Sequence, residues 1–346
     1  MGAGDDGVHR GHDLSRDVRY EIVPALRLSA EHLARWHALQ REHAAFESPF
    51  FRAEYTRAVA ATRPDVHVCV IHDDAGIAGF FPYERVVAVA RPVGGSMSNF
   101  QGVIAAPEVA WALDGIARAA KVETIRFHHQ VPGQPQFDAC TTKTVSSPRV
   151  DMGDGWDAFL AERARAGVAN FNSLPRKMRK LERELGPVRF VEHVADDSVL
   201  TSLVTWKRAQ YERTGAKGSM SHDWAVAAMR LLFAEQGRDF AGTLSALYAG
   251  DRLIAAHAGM RSASAWHYWF PAYDPELANY SPGLVLMYEM CKWAASAGLH
   301  HIDLGPGEGA HKDLFGTSEV PVGIGQLQLP ARTRFLSRLL NRFRHA

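Results

Sequence analysis

The spacing of apolar and polar residues in the first half of the chain changes period several times, and each change marks a predicted element. Apolar residues at helical spacing predict helices over Ala30–Ala44 and Arg52–Ala61. Two apolar runs on either side of a turn at residues 73–76 predict a β-hairpin. A short helix from Pro107 to Ala120 and the strand VETIRFHH follow. Hairpin, helix and strand in this order predict an α/β unit.

The second half repeats this order of elements. The runs LSALYA and LIAAHAGMRS flank a turn at Gly250-Asp251, and WHYWFPAY adds a third strand. Pro282–Ala297 has the pattern of a helix, and HHIDLG that of a closing strand. Repetition at this scale indicates duplication of one α/β unit, although two unrelated α/β domains would give the same pattern. We expect an α/β (α+β) fold of two tandem domains, each a mixed sheet flanked by helices.

The length of 346 residues also favours two domains, because a single hydrophobic core seldom extends over so long a chain. Residues 1–19 are polar and rich in glycine, which predicts a disordered leader. We place the two domains at residues 20–165 and 166–330. Residues 331–346 are expected to form a basic amphipathic helix. That helix would dock on the second domain or, alternatively, make a peripheral contact with an anionic membrane.

Composition excludes several classes of protein. The formal net charge is +1, so nucleic acid is not an expected partner. The three cysteines are far apart, which predicts neither a disulfide framework nor a zinc ribbon, and we expect no metal. No signal peptide or membrane-spanning run is recognisable, so the expected location is the cytoplasm. The motifs of serine hydrolases, P-loop enzymes, zinc proteases and dinucleotide-binding domains are also missing.

A strongly basic segment, NSLPRKMRKLEREL, lies between the two halves. Its apolar residues recur at helical spacing, which predicts a helix with one packed face. The segment carries five basic side chains: Arg176, Lys177, Arg179, Lys180 and Arg183. They would form a solvated face or, alternatively, would meet the phosphates of a cofactor or an anionic acceptor.

The segment from Tyr280 to Leu284 has the composition of an anion-binding helix start. Ser281 suits the N-cap and Pro282 the first helical position. Gly283 leaves space for a ligand, and no acidic residue stands in the first turn. Free N–H groups and the positive end of the helix dipole would therefore bind a pyrophosphate. In the first half Glu108 would occupy the same place and repel a phosphate. A plain capped helix is the alternative for the second half.

A glycine-rich loop follows the last predicted strand of the second half. Ligands of α/β sheets gather at the carboxyl ends of strands, so this loop is a candidate for the reacting centre. It brings together three side chains capable of acid–base chemistry: Glu308, His311 and Lys312. Asp303, at the end of the strand, is expected to orient the loop by accepting its N–H groups. An ordinary charged surface loop is the alternative.

The strand WHYWFPAY and its neighbour offer further candidates. Trp266, Tyr268 and Phe270 would share one face, and His267 and Trp269 the other. Packing in the core accounts for both faces, and an acceptor groove on one of them is the alternative. The lone histidine on the preceding strand, at position 257, is expected to be structural.

Several of these segments together resemble the CelD-type (cellulose biosynthesis protein) acetyltransferase family of the Gcn5-related N-acetyltransferase (GNAT) superfamily. They are WKRAQYERTG, LSALYAGDRLIAAHAGMRS, WHYWFPAYDPELANYSPGLVLMYEM and IDLGPGEGAHKDLFG. The likeness is continuous from about Arg176 to Phe315 and weaker in the first half. The family is similar in architecture to Fem-type peptidyltransferases, so the resemblance implies two tandem GNAT-like domains.

The resemblance also implies that acetyl-CoA or another acyl-CoA binds to the second domain as the donor. Its binding residues would be Ser281, Pro282, Gly283, Leu284, Gly305 and Gly307. Glu308 would be the leading general base, and Lys312 or His311 would handle protons or charge beside it. Asp303 matches the same strand–loop motif. The family more often has tyrosine where this chain has His311.

We therefore expect an acyltransferase, in the first place an acetyltransferase, that acts on an amine or hydroxyl of a small molecule or polysaccharide precursor. Two other functions remain as alternatives. One is a Fem-type transferase that uses aminoacyl-tRNA, and the other is a non-catalytic binding member of an envelope-polysaccharide complex. The sequence specifies neither the acceptor, nor the acyl chain length, nor the oligomeric state.

Overall fold

The computed structural model describes residues 18–168 and 171–330. The predicted basic helix at 331–346 and most of the predicted leader therefore lie outside the described residues. The leader was predicted to extend to residue 19, but Arg19 is the first residue of strand β1 (Arg19–Pro24). The leader prediction is therefore wrong for residue 19, because β1 pairs along its whole length with a second strand.

The first half contains two helices, a meander of strands and a third helix. Its elements are β1, α1 (Ala30–Glu42), α2 (Ala53–Ala60), β2 (Val66–Asp73), β3 (Gly76–Val86), β4 (Val89–Arg91), β5 (Ile104–Ala105), α3 (Leu113–Ala119), β6 (Thr124–Gln130) and β7 (Thr141–Asp151). The helix predicted from Pro107 begins only at Leu113. Ala112 is extended, and the preceding turn buries Trp111 against the ring of Phe137. Glu108 therefore lies in a loop, and its predicted place in a first helical turn is wrong.

The second half begins with two helices and then repeats the order of the first. Its elements are α4 (Gly155–Arg165), α5 (Leu174–Leu185), β8 (Val188–Val191), α6 (Asp197–Thr214), α7 (Asp223–Phe233), β9 (Phe240–Ala249), β10 (Arg252–Ser262), β11 (Ala265–Tyr273), α8 (Pro282–Ser296), β12 (His301–Asp303), α9 (Ala310–Phe315) and β13 (Ser318–Gln328). The predicted helix from Pro282 is confirmed as α8, one residue shorter than expected.

One sheet of 13 strands runs through both halves, and its order is nearly a mirror image about the centre. Along the sheet the strands follow one another as β1-β2-β3-β4-β6-β13-β7-β12-β11-β10-β9-β8, with β5 attached to β3. Each half has an antiparallel meander that ends in a parallel pair, β4 with β6 and β11 with β12. The predicted α/β (α+β) class with two tandem units is confirmed by this topology.

The two central strands are exchanged between the halves. β13, the last strand of the chain, pairs with β6 of the first half, and β7 pairs with β12 of the second half. β7 and β13 also pair with each other, which joins the two half-sheets. Neither strand was predicted, because β7 is mostly polar and contains Pro148, which weakens a strand pattern. The boundary between residues 165 and 166 stays a prediction.

The two halves also share a hydrophobic core. Phe50 of the first half packs edge-on against Trp269 of the second, with ring centroids 5.3 Å apart. Tyr55 contacts the same indole, and the Nε1 of Trp269 donates to the carbonyl of Met97 at 2.9 Å. This shared core fixes the first half against β11, where the candidate site lies. Across residues 18–168 and 171–330, no helix combines the length and apolar character needed to span a bilayer.

Candidate active site

The parallel strands β11 and β12 separate shortly after they begin to pair. They are paired only from Ala265 with His301 to His267 with Asp303. β11 then continues to Tyr273, whereas the chain leaves β12 directly after Asp303. Residues 268–273 of β11 therefore have no strand on this side in the part of the chain that the structure describes. Not all of their backbone groups are available, because the N–H of Trp269 is bound to His257, Pro271 has no N–H, and the carbonyl of Pro271 accepts Lys207 Nζ at 3.0 Å. The groups that remain unpaired can pair with an extended ligand, as the edge of a sheet does.

Helix α8 begins next to this opening. Ser281 stands at the N-cap as predicted, but it has a left-handed conformation (φ 57°) and its side chain caps no N–H group. The predicted capping bond is wrong, because the hydroxyl instead accepts a hydrogen bond from Lys177 Nζ at 2.7 Å. No acidic residue lies in the first turn. A Cβ atom on Gly283 would lie 3.3 Å from the ring of Tyr273, so a larger side chain would crowd this position.

The basic helix α5 lies beside the start of α8. It buries Leu174 and Leu181 in the core, which is the packed face that the sequence predicted. Lys177 reaches Ser281, and Lys180 lies over the ring of Tyr280, 4.9 Å from its centroid. Part of the basic surface is therefore adjacent to the helix start that was predicted to bind a pyrophosphate.

The glycine-rich loop after β12 is held by Lys312. Its Nζ donates to the carbonyl oxygens of Gly305, Pro306 and Gly307 at 2.7, 2.8 and 3.1 Å. An ammonium group has three donors, so these bonds use all of them. Burial also lowers the pKa of Lys312. The geometry thus gives Lys312 a positioning role in the loop and leaves it no N–H for a substrate.

Asp303, the last residue of β12, accepts an N–H group of the same loop, as the sequence predicted. Its Oδ1 accepts the N–H of Gly305 at 2.8 Å and the hydroxyl of Ser147 at 3.2 Å. Its Oδ2 accepts Arg149 Nε at 3.1 Å. Burial alone would raise the pKa of Asp303, but the contact with His267, the charge of Arg149 and the loop N–H together lower it. The carboxylate is therefore ionised at neutral pH.

Two further histidines flank Tyr268 of β11. His257 stacks on the tyrosine ring with centroids 5.0 Å apart, and the ring of His311 lies 5.5 Å from it. The Nε2 of His257 accepts the backbone N–H of Trp269 at 3.0 Å. Burial lowers the pKa of His257 to about 3 and that of His311 to about 4. Both imidazoles are neutral at pH 7, and His257 has the structural role expected of it.

A cavity of about 860 Å³ opens beside the glycine-rich loop. Both halves and the exchanged strands contribute to its wall, which includes Asn99, His129, Lys143, Gly307, Glu308, Lys312, Asp313 and Glu319. Of the predicted acid–base residues, Glu308 and Lys312 line this cavity, and His311 does not. Residues 281–284 do not line it either. The two segments that the sequence singled out, the start of α8 and the glycine-rich loop, therefore do not line one common cavity.

Sequence reasoning missed the residues that reach these segments from other parts of the chain. Asn99 lies in a glycine- and serine-rich stretch of the first half, and its Nδ2 is 2.7 Å from His267 Nε2. Only the fold brings it to β11, because the two residues are 168 positions apart. Lys177 was named as one of five basic residues, but no pattern distinguished it from the others. In residues 18–168 and 171–330, no three His, Cys, Asp or Glu side chains converge as metal ligands do.

A parallel strand pair that separates and is connected by a helix, in a chain with two tandem halves, is the arrangement expected of tandem GNAT-like domains. Residues 169–313 match the family model described as an acetyltransferase (GNAT) domain. The second half therefore contains a GNAT acyltransferase domain, and the chain is an acyltransferase. No curated protein matches the sequence.

Solved structures share this architecture over almost the whole chain. FemX aligns with a TM-score of 0.62 and 12% identity, over 92% of this chain and 99% of FemX. The C-terminal domain of a protein from Agrobacterium fabrum, named a lysylphosphatidylglycerol synthetase, aligns with a TM-score of 0.56 and 14% identity, over 89% and 95%. A tandem GNAT protein from the clavulanic acid biosynthesis pathway aligns with a TM-score of 0.50 and 12% identity, over 90% and 98%. At these identities the likeness concerns the fold alone.

Proposed function

We propose that this protein transfers an acyl group, in the first place acetyl, from an acyl-CoA to an amine or hydroxyl of a small molecule or sugar precursor. The single observation that carries the proposal is the separation of β11 from β12 beside the acid-free start of α8. This opening offers an unpaired strand edge and a positive helix end to one extended, anionic ligand. The CelD-type family remains the assignment that we propose within the GNAT superfamily.

The donor fits this opening by its chemistry. The amide groups of its pantetheine arm can pair with the backbone groups that remain unpaired along β11 between residues 268 and 273. The N–H groups of Leu284 and Val285 are bound to the carbonyl of Ser281, and Pro282 has none. The pyrophosphate of the donor can therefore accept the N–H of Gly283, and Lys177 stands beside that position at Ser281. We assign Ser281, Pro282, Gly283 and Leu284 to this contact.

The glycine-rich loop would contact the thioester end of the donor. The N–H of Gly305 is already bound to Asp303, and its carbonyl to Lys312, so Gly305 would contribute space rather than a hydrogen bond. Gly307 lies one step further along the loop and lines the cavity. We assign both glycines to donor binding on this basis.

Transfer then requires a base near the acceptor. Glu308 is exposed in the cavity and forms no ion pair within the described ranges, so it can take a proton from the attacking group. His311 is the second candidate, because its neutral imidazole lies against Tyr268 of β11. Lys312 and Asp303 would hold the loop in place during the reaction.

A second candidate function is transfer from aminoacyl-tRNA in the Fem manner. The basic helix α5 and the likeness of the fold to FemX favour it. Near-neutral charge overall weighs against it, since tRNA binding normally needs a larger excess of basic residues. We propose a cytoplasmic location, and a peripheral membrane contact through residues 331–346 as a separate, independent hypothesis.

Thermal unfolding in the presence of ligands tests the proposal. Acetyl-CoA and free CoA should each raise the melting temperature in proportion to the logarithm of ligand concentration. A non-catalytic, sugar-binding member of a complex would respond to neither. Strong, salt-dependent binding of tRNA without any response to acetyl-CoA would favour the Fem-type alternative instead.

A further inference from the structure

A lysine of the second half reaches the open edge of β11. Lys207 lies on α6, which packs on β10 and β11, and its Nζ donates to the carbonyl of Pro271 at 3.0 Å. A proline in a strand belongs where the missing N–H would face away from the neighbouring strand, and its carbonyl then faces the same way. The amine of Lys207 therefore lies in the opening along which the pantetheine arm of the donor would pair.

The surroundings of this amine include no carboxylate. Within residues 18–168 and 171–330 Lys207 contacts the Pro271 carbonyl and the ring of Tyr211, whose centroid lies 5.8 Å from Nζ, and it forms no ion pair. A Cβ atom on Gly218 would overlap that ring, so the loop after α6 packs directly on it. Burial lowers the pKa of Lys207 to about 8. At neutral pH its nucleophilic, neutral fraction is roughly two orders of magnitude larger than that of a free lysine.

The reacting end of the proposed donor lies in the same opening. His311 of α9 lies against Tyr268 of β11, and the charge of Lys207 is one cause of the lowered pKa of His311. The same charge contributes to the lowered pKa of His257. The amine is therefore near both imidazoles. A donor that pairs with the Pro271 carbonyl displaces the amine from it, and the flexible four-carbon side chain lets the amine turn toward the thioester.

We propose that Lys207 is a site of self-acylation, at which the ε-amine takes the acyl group of a bound acyl-CoA. This inference rests on the proposed function, because the donor must bind along β11. It adds a second destination for the acyl group, separate from the acceptor cavity, since Lys207 does not line that cavity.

The reaction is balanced without any further reagent. The neutral nitrogen of Lys207 attacks the thioester carbonyl, so that a C–N bond forms and the C–S bond breaks. The nitrogen loses one proton to the imidazole of His311 or to water, and the leaving thiolate takes up one proton from the same source. Nε-acyl-lysine and free CoA are the products. An amide is much less reactive than a thioester, so the acyl group stays on the lysine and a cation is removed from the opening.

Intact-mass spectrometry of the full-length protein, incubated with acetyl-CoA and no acceptor, tests the inference. The protein should gain the mass of one acetyl group, and peptide mapping should place that group on Lys207. The rate should saturate with acetyl-CoA concentration, and free CoA should slow it by competing for the donor site. Lys217, which is exposed in the loop after α6, should be acetylated roughly tenfold more slowly or less.

The pH dependence of this rate is a second readout. The rate should rise with pH and level off above about 8, because only the neutral amine of Lys207 attacks. The titratable groups that face the amine are His257 on β10, His311 on α9, Tyr268 on β11 and Tyr211 on α6. Burial lowers the pKa of both histidines and raises the pKa of both tyrosines, so none of these groups titrates together with the lysine.

Two substitutions separate site-directed transfer from general reactivity. Lys207→Arg keeps a cation and an N–H donor for Pro271, but its guanidinium is not a nucleophile. This variant should lose the acetyl group at position 207, while acetyl-CoA still raises its melting temperature. Lys217→Arg is the matched control, because it changes an exposed lysine close to the same helix. It should be acetylated at Lys207 like the wild type.

Some outcomes would overturn the inference. Acetyl-CoA binding without acetylation of Lys207 would refute it and leave the proposed function intact. Equal acetylation of Lys207 and Lys217, unaffected by free CoA, would show general lysine reactivity and refute it as well. An undiminished mass gain in Lys207→Arg would place the acylated residue elsewhere. Failure of the wild type to bind acetyl-CoA would refute the proposed function itself, and this inference with it.

Discussion

The two halves of the chain share one topology but differ at the place where a donor would bind. β11 has nine residues and continues well beyond its three pairs with β12. Its counterpart β4 has three residues, and two of them pair with β6. The first half therefore has almost no free strand edge for an extended ligand. Helix α3 also has seven residues and Asp114 in its first turn, whereas α8 has 15 residues and no acid there.

The loops after β6 and β12, the last strands of the two parallel pairs, also differ between the halves. The first half has Pro132-Gly133-Gln134, and the second has Pro306-Gly307-Glu308. The side-chain amide of Gln134 accepts the N–H of Val103 and donates to the carbonyl of the same residue, so this side chain is structural. Glu308 has a carboxylate and is exposed in the cavity. The two halves thus share one framework, and the side chains that we propose for the chemistry occur in only one of them.

The largest expected effect comes from separating the halves. Residues 1–165 alone lack β13, and residues 166–346 alone lack β7, so each fragment has an unpaired central edge. We expect neither fragment to unfold cooperatively when it is produced alone. The two fragments produced together should associate and restore a single unfolding transition in circular dichroism. A fragment that folds alone would show that the exchanged strands are dispensable.

The next largest effect is expected from a substitution that makes the loop after β12 resemble the loop after β6. Glu308→Gln should lower turnover by roughly two orders of magnitude, because the amide retains the shape but cannot accept a proton. Steady-state kinetics would measure it, and acetyl-CoA affinity should hardly change. Asp251→Asn removes a carboxylate from an exposed turn of the same half and serves as the control. Full activity of Glu308→Gln together with an inactive His311→Ala would assign the base to His311.

A third difference between the halves is the buried histidine on β10, which β3 lacks. Burial lowers the pKa of His257 to about 3, below the 6.5 of a free histidine. Between these values the unfolded chain binds a proton that the folded protein does not, so stability falls as pH falls below 6.5. At pH 5 this group alone should cost about 2 kcal/mol of unfolding free energy relative to pH 7.5.

His257→Gln retains an acceptor for the N–H of Trp269 but cannot titrate. Urea unfolding at pH 7.5 and pH 5 should therefore show a smaller loss of stability in the variant than in the wild type. His222→Gln changes an exposed histidine and should show the wild-type loss. Identical pH dependence in all three proteins would contradict burial of a neutral imidazole at position 257.

Local patterns predicted the local structure of this protein well. The bounds predicted for helices α1, α2 and α8 agree with the structure to within two residues, because the apolar spacing that predicts each helix lies within the helix itself. The exchanged strands β7 and β13 could not be predicted, since their pairing depends on residues far away in the sequence. The helix expected from Pro107 failed because burial of Trp111 outweighed the local helical preference.

In the candidate site too, features set by the local sequence could be predicted, and contacts between distant residues could not. The composition of the loop at Glu308 and of the helix start at Gly283 singled out both segments in advance. Their supporting contacts were not visible, because Lys177 and Asn99 reach them from other elements. Lys312 was expected to take part in the chemistry, and only the three carbonyl bonds reveal its place in the loop.

Calorimetric titration of acetyl-CoA into Gly283→Glu tests most directly whether the donor binds at the start of α8. The added carboxylate brings negative charge to a positive helix end, and its Cβ would crowd the ring of Tyr273. Affinity should fall by about tenfold or more. Ser296→Glu places the same charge at the opposite end of the helix and should bind acetyl-CoA like the wild type. Unchanged affinity in Gly283→Glu, with the fold intact by circular dichroism, would contradict the account.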